Sequence, residues 1–254
     1  MRRWLAAGIV AVASLAGMPA LADLGICVEG TYPPFSTTRP DGTVVGFDVD
    51  IANALCAEIG ESCHLVKTTW DRMIPSLVNH KCDAIIASMS DTEERRRYID
   101  FTDRYYKAPV RFVGPAGAGL QDTPEAMKAR VVGVQRGTIN QTYMTAHYPA
   151  TPLKLYGNQE HVLLDLTLGR LDAVLGEAPQ LEVGFLRTPA GQGYAFFGGN
   201  HFDPAIQGDG AAIGVRKEDA ALRDRLSAAI AAIRDDGTYD DIAGRYFDFD
   251  IYGE

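Results

Sequence analysis

Residues 83–95 read D-A-I-I-A-S-M-S-D-T-E-E-R, and this stretch decides the fold. Residues 83–87 are a short apolar run of the buried-strand kind. It breaks off at Ser88, Ser90, Asp91 and Thr92, which are turn and helix-cap residues. A strand therefore ends in a hydroxyl-rich loop. Glu93 and Glu94, followed by Arg95, Arg96 and Arg97, suit a helix whose acidic first turn faces the positive end of its dipole. In an open α/β sheet such a strand end gathers backbone N–H groups and a helix N-terminus, so small ligands bind there. An arginine one turn into that helix adds a planar, two-pronged grip for a carboxylate. The expectation is an α/β protein with an anion receptor at this strand end.

The same unit recurs further along. K-C-D-A-I-I-A at 81–87 is echoed by R-L-D-A-V-L-G-E at 170–177, and helical patterns at 70–79 and 161–169 precede the two copies. One copy ends in Ser88 and Ser90, the other in Glu177. Two α/β lobes facing each other would use these ends jointly. Between the copies, an apolar strand at 131–134 runs into Q-R-G-T-I-N at 135–140, another strand-to-helix loop able to present N–H groups.

Upstream, 24–28 reads as the first strand, and E-G-T-Y-P-P-F at 29–35 as a loop whose prolines give Tyr32 a rigid mount. G-F-D-V-D at 46–50 introduces a helix over 51–59 with Asp48 as its cap, followed by a strand at 65–68. Residues 110–113, flanked by Pro109 and a G-P-A-G-A-G run, read as a passage between lobes. Gly208-Asp209-Gly210 before 211–215 reads as the return. Helices over 220–233 and 239–246 close the chain. Lobe I is then 23–108 plus 210–254, and lobe II is 109–209.

The 254 residues, 46% hydrophobic and 22% charged, can bury a substantial core. Residues 1–22 carry a basic start (Arg2, Arg3), an apolar run and the small-residue site Ala20-Leu21-Ala22, the pattern of a secretory signal peptide cleaved after Ala22. The apolar run is short for a membrane anchor of ~20 residues. The formal net charge is −9, and no basic stripe exists for nucleic acid or an anionic membrane.

Export permits disulfides. Pairing Cys56 with Cys63 would close a loop of about eight residues, worth roughly 2.5 kcal/mol in the chain-entropy account. Cys27 and Cys82 each sit beside an expected strand; buried free thiols are the plain reading, and a disulfide between them the alternative. Neither pair has zinc spacing, the five histidines are scattered, and Asp48 with Asp50 lacks the further carboxylates of a calcium loop. No phosphate-binding glycine fingerprint or nucleophile elbow is present, so neither metal nor cofactor is expected. Tyr32 and Trp70, as a facing pair at strand ends, would clamp an aliphatic or guanidinium side chain. Glu29 and Glu177 would be costly carboxylates in a closing cleft unless something cationic meets them. With Arg95 they describe a site for a zwitterion carrying an additional positive group.

These residues make the chain resemble the periplasmic amino-acid-binding proteins of ABC importers, solute-binding family 3, and within it the lysine/arginine/ornithine- and histidine-binding group with its opine-binding relatives. The carriers are Y-P-P-F at Tyr32, G-F-D-V-D at Gly46, D-A-I-I-A-S-M-S at Asp83, I-D-F-T-D at Ile99, G-V-Q-R-G-T at Gly133, D-L-T-L-G-R-L-D-A at Asp165, D-G-T-Y-D near Asp236 and Y-F-D-F-D-I-Y-G from Tyr246. The resemblance implies the two-lobed periplasmic-binding-protein fold (type II), with two crossover strands as hinge, closing on an L-amino acid. It places Arg95 on the α-carboxylate with Ser88, Ser90 and Thr138 nearby. Glu177, where aspartate is usual, falls on the α-ammonium, Tyr32 and Trp70 around the side chain, and Glu29 on its distal cation. Asn140 joins the ligand residues, although Ile139 and Asn140 stand where Thr-Gln is usual and Ala87 where serine is common. The group's small disulfide corresponds to Cys56–Cys63.

The resemblance thus implies a non-catalytic, monomeric binding protein of the periplasm that delivers a basic amino acid, arginine-like ligands leading, to a membrane permease. The alternatives are binding of an opine or a polar amino acid, a ligand sensor docking on a membrane receptor, and an enzyme like the cyclohexadienyl dehydratases, which resemble this family and use a cleft carboxylate as acid.

Overall fold

The apolar runs at 24–28, 83–87, 131–134 and 173–177 become strands of two separate mixed sheets. The computed structural model describes residues 23–253; the expected signal peptide at 1–22 lies outside the described residues. In chain order the strands are β1 (Asp23–Val28), β2 (Thr31–Tyr32), β3 (Ser36–Thr38), β4 (Val44–Val45), β5 (Ser62–Lys67), β6 (Ala84–Ile85) and β7 (Asp100–Tyr106). They continue with β8 (Val110–Pro115), β9 (Val132–Gln135), β10 (Leu153–Tyr156), β11 (Ala173–Glu177), β12 (Tyr194–His201) and β13 (Ala211–Val215).

The first sheet has the order β5-β1-β6-β13-β7 and the second β10-β9-β11-β8-β12; β2, β3 and β4 form a small meander. In each large sheet the strands reached through helices are parallel. In the first, β1 lies between β5 and β6; in the second, β9 lies between β10 and β11. The strands that follow a crossing pair antiparallel: β13 with β6 and β7, β8 with β11 and β12. The chain leaves the first sheet after β7, returns after β12, and each sheet with its helices forms one lobe.

Several expectations change in detail. Residues 110–113 are no connector: they lie in β8, an interior strand of the second sheet, because the apolar side chains Val110, Phe112 and Val113 are fully buried there. The passage is the short segment 107–109 before it. The strand expected at 83–87 is a regular ladder only at Ala84–Ile85; left-handed Ser88 (φ 53) interrupts it, and the chain pairs with β13 again at Ser90, opposite Ala211.

Asp48 does not cap its helix. Phe47–Glu58 begins at Gly46 with φ 139 and no side-chain cap, and a Cβ at Gly46 would lie 2.3 Å from the Phe35 carbonyl oxygen. The glycine satisfies the turn, so Asp48 falls inside the first turn. It is 1% exposed and accepts hydrogen bonds from Tyr105 Oη (2.8 Å) and Ser88 Oγ (2.9 Å).

Cys27 and Cys82 are not free thiols. They form a disulfide with Cα atoms 5.7 Å apart, alongside Cys56–Cys63 at 6.2 Å. Parallel pairing of β1 with β6, extended by the bond from Asp83 N–H to the Gly25 carbonyl (2.7 Å), holds the two cysteines side by side. Adjacent strands set that distance, which spacing along the chain does not show.

The larger core cluster packs the helices Phe47–Glu58, Ala220–Asp235 and Thr238–Ala243 on the first sheet around Phe35, Phe47, Tyr105, Tyr106 and Phe247. The first sheet and its strand ends are thereby fixed from behind, and the polar residues at those ends face the second sheet.

Candidate functional site

Between the sheets lies a cavity with an empty volume of about 370 Å³. Glu29, Tyr32, Trp70, Ser88, Ser90 and Arg95 line it from the first lobe, Thr138, Asn140 and Glu177 from the second. All the residues singled out in the sequence are thus brought to one place. Ala87, Ile139 and Gln135 complete the wall.

One end is built from Arg95 and the loop before it. Thr92 caps the short helix Glu93–Arg96 by accepting from the Arg95 N–H, which orients the arginine toward the cleft. Arg95 Nη1 donates to the Ser90 carbonyl (2.7 Å), Nη2 reaches the Gly137 carbonyl of the facing lobe at 3.4 Å, and the guanidinium lies 5.1 Å from the centre of the Trp70 ring. Burial pulls the guanidinium down to about 10, so it stays charged at neutral pH. Trp70 therefore serves first as a platform for Arg95, and its Nε1 donates across the cleft to the same Gly137 carbonyl (3.0 Å).

Ser88 holds a left-handed backbone conformation that is uncommon for serine and marks a constrained site. Its N–H donates to Tyr105 Oη (2.9 Å) and its hydroxyl to Asp48, so the loop is tied to the core. Asp48 itself is raised to about 7 by burial, against the bonds from Tyr105 and Ser88 that lower it. Across the cleft, Thr138 caps the helix Ile139–His147 by accepting from Gln141 N–H (3.4 Å), and donates to the Gln135 carbonyl (2.7 Å). The hydroxyls of Ser88 and Thr138 are thus already engaged. What this end adds to Arg95 is the N-terminus of that helix, whose first N–H groups lack intrahelical acceptors. Asn140 is 5% exposed, and its Oδ1 has no hydrogen-bond partner among the described residues.

The rest of the cavity is acidic. Glu177 ends β11, is 6% exposed, and accepts on Oε2 from Tyr32 Oη (2.8 Å) and Tyr106 Oη (3.0 Å), both of the facing lobe. Glu29, beyond the end of β1 and 7% exposed, accepts on Oε1 from Gln135 Nε2 (2.8 Å). Burial raises both carboxyls to about 7; the bonding tyrosines and Arg95 oppose this at Glu177, and Gln135 opposes it at Glu29. The cavity thus presents a fixed cation at one end and two carboxyls near their titration point elsewhere. Such a cleft suits a ligand with one carboxylate and two positive groups.

Tyr106, Gln135, Asp48 and Tyr105 were not picked out as site residues from the sequence. Gln135 is the last residue of a strand before a helix, the signal that picked out Ser88, so the same rule reaches it. Tyr106, Tyr105 and Asp48 carry no local signal, because their roles come from partners at separations of 71, 57 and 40 residues. Among the described residues no group of three or more His, Cys, Asp or Glu is placed to hold a metal ion, and no helix is long and apolar enough to cross a membrane.

Known proteins share this architecture. The L-arginine-binding protein of Pseudomonas aeruginosa is 43% identical over 251 residues, covering 98% of this chain and 97% of that protein. The histidine-binding periplasmic protein of Escherichia coli K12 is 40% identical over 245 residues, covering 96% and 94%. Among solved structures, a Salmonella typhimurium periplasmic binding protein described for its high arginine specificity superposes with a TM-score of 0.81. It is 30% identical, and the match covers 89% of this chain and 99% of that one. Residues 24–249 match the family of bacterial extracellular solute-binding proteins, family 3, and the chain belongs to that family.

Proposed function

We propose that this chain is the substrate-binding component of an ABC importer. It closes on a basic L-amino acid (arginine, lysine, ornithine or histidine) between lobes formed by 23–108 with 210–254 and by 109–209. As a monomer in the periplasm, exported by the signal at residues 1–22, it hands the ligand to the membrane permease. The observation that carries this reading is the charge layout of one cavity: Arg95 and a helix N-terminus at one end, Glu177 and Glu29 elsewhere. The α-carboxylate goes to Arg95, the α-ammonium to Glu177, and the distal cation to Glu29. Hydrogen bonds from one lobe to acceptors of the other, Tyr32 and Tyr106 to Glu177 and Gln135 to Glu29, favour the closed state.

The chain is proposed to be non-catalytic. Glu177 is a buried acid near neutrality, as a dehydratase would need, but its Oε2 is held by two tyrosyl hydroxyls that also close the cleft. The test is a thermal-shift panel on the mature protein with L-arginine, lysine, ornithine, histidine, glutamine, octopine and nopaline, with prephenate and arogenate turnover assayed in parallel. A ligand at a hundred times its Kd stabilises by about 2.7 kcal/mol. A response confined to the opines or glutamine overturns the basic-amino-acid reading, and turnover overturns the non-catalytic one.

A further inference from the structure

Glu29 stands between two cavities. Besides lining the ligand cavity, it borders an outer space of about 1080 Å³ empty volume, open to solvent, between the end of β5 and the loop that follows β9. The partition includes the side-chain bond from Gln135 Nε2 to Glu29 Oε1, which joins the two lobes across the gap. A wall held by a hydrogen bond yields more readily than one held by core packing.

The groups lining the outer space differ in what they have left to offer. Asp71 Oδ1 accepts from Thr69 Oγ1 (2.5 Å), and Asn158 Oδ1 accepts from the His161 N–H (2.9 Å). Lys67 and Arg136 are exposed there, and neither is paired with a carboxylate among the described residues. Asp71 keeps its second oxygen and its charge, so immediately behind the acidic end of the ligand cavity the lining carries two cations without a carboxylate partner against one hydroxyl-bonded carboxylate. An ordinary basic amino acid would stop at Glu29. A longer one would push Gln135 aside and enter positive surroundings.

We propose that the outer space is a subsite for basic amino acids extended at the distal nitrogen by a carboxylate-bearing substituent. The amino-acid end occupies the inner cavity, the distal cation remains against Glu29, and the added carboxylate lies between Lys67 and Arg136. The proposal rests on the amino-acid-binding reading above. It adds that the ligand class extends beyond the free basic amino acids.

Isothermal titration with L-arginine, L-argininosuccinate and the uncharged extension Nω-propyl-L-arginine tests it, on the wild type and on the double variant Lys67→Met/Arg136→Met. Argininosuccinate is expected to bind within about tenfold of arginine and more tightly than the propyl compound. The double variant should weaken argininosuccinate about tenfold or more and leave arginine within about twofold. Arginine binding without argininosuccinate binding overturns the subsite and leaves the amino-acid reading intact. Argininosuccinate affinity unaltered by the double variant, or a propyl compound that binds as tightly, also overturns it. Failure of arginine and every other basic amino acid to bind overturns both readings together.

Discussion

The two copies of the helix-to-strand unit are close equivalents up to the point where they meet the ligand cavity. Asp83 Oδ2 accepts from the Gly25 N–H (2.9 Å) and Asp172 Oδ2 from the Val131 N–H (2.8 Å), and each aspartate pairs with an arginine, Arg216 at 2.9 Å and Arg130 at 3.4 Å. The next residues take the same register, Ala84 opposite Ile26 and Ala173 opposite Val132. Then they diverge. The first copy is interrupted at left-handed Ser88, bridges β13 once more at Ser90 and leads to Arg95, whereas the second stays extended to Glu177. One scaffold thus delivers a cation from one lobe and an anion from the other. The repeat specifies strands and turns, and the residues at its ends specify what can be held.

Removing the charge at either end is the largest way to break this symmetry. Arg95→Ala should lower affinity for a basic amino acid by about 3–5 kcal/mol, roughly a hundred- to several-thousand-fold, because the buried α-carboxylate loses its partner. Glu177→Gln should do less, since an amide oxygen still accepts from Tyr32 and Tyr106. Titration calorimetry checks both. A change under about threefold for Arg95→Ala removes it from the carboxylate end.

The copies also differ in how they fill one niche. In the first, Cys27 and Cys82 are bridged; at the matching positions of the second stand Gly133 and Leu171, and a Cβ on Gly133 would lie 2.4 Å from Leu171 Cδ1. The first copy is tied covalently and the second by side-chain volume. With a sequence separation of 55, losing Cys27–Cys82 by double alanine substitution should cost about 4 kcal/mol, against about 2.5 kcal/mol for Cys56–Cys63 with a separation of 7. Leu171→Ala should cost about 3 kcal/mol, within the range for buried leucines. Urea unfolding ranks the three. If reductant leaves the unfolding midpoint unmoved, Cys27 and Cys82 return to being free thiols.

This niche shows what was legible in the sequence and what was not. The D-A-apolar-apolar signature and the abrupt polarity at its end mark both strands, and with them Ser88, Ser90, Arg95 and Glu177, because strand and cap signals are local. The family resemblance supplied Thr138, Asn140 and the disulfide Cys56–Cys63. The Cys27–Cys82 bridge, the Asp48 support beneath Ser88 and the Tyr106 contact depend on strand order, which pairs residues far apart in the chain. Asp48 reads as a cap because capping is the common use of an aspartate near a helix start, whereas in the fold Gly46 makes that turn.

Titrating the acidic end probes the same asymmetry more gently. Glu177 and Glu29 are raised from 4.5 to about 7 without ligand. A carboxyl raised on folding contributes stability that is fully present below its unfolded value and is lost as pH rises through the folded one. The ligand-free protein should therefore lose stability between about pH 4.5 and 7. A ligand presenting two cations favours the ionised carboxylates, so affinity should rise over the same window, by up to about tenfold per pH unit for each proton released, and level off above it. Calorimetry in buffers of different ionisation enthalpy counts the protons. Arg95, at about 10, adds no slope there. An affinity flat from pH 5 to 8 would show that neither carboxyl meets the ligand's cations.

The smallest expected effect separates the two uses of Trp70. Its ring supports the Arg95 guanidinium within the first lobe, while its Nε1–H reaches the Gly137 carbonyl in the second. Trp70→Phe keeps an aromatic face under Arg95 and removes only the donor. The lost bond is neutral and lies near solvent, so about 1 kcal/mol of closed-state stability should go, roughly a fivefold rise in Kd. Because the bond spans the two lobes, the loss should appear in the off-rate, with the on-rate nearly unchanged. Stopped-flow fluorescence is poorly suited to a variant lacking this tryptophan, so surface plasmon resonance is the appropriate measurement. A change confined to the on-rate would mean that the indole acts on the open cleft by positioning Arg95 alone, and that the bond to Gly137 contributes nothing to holding the lobes together.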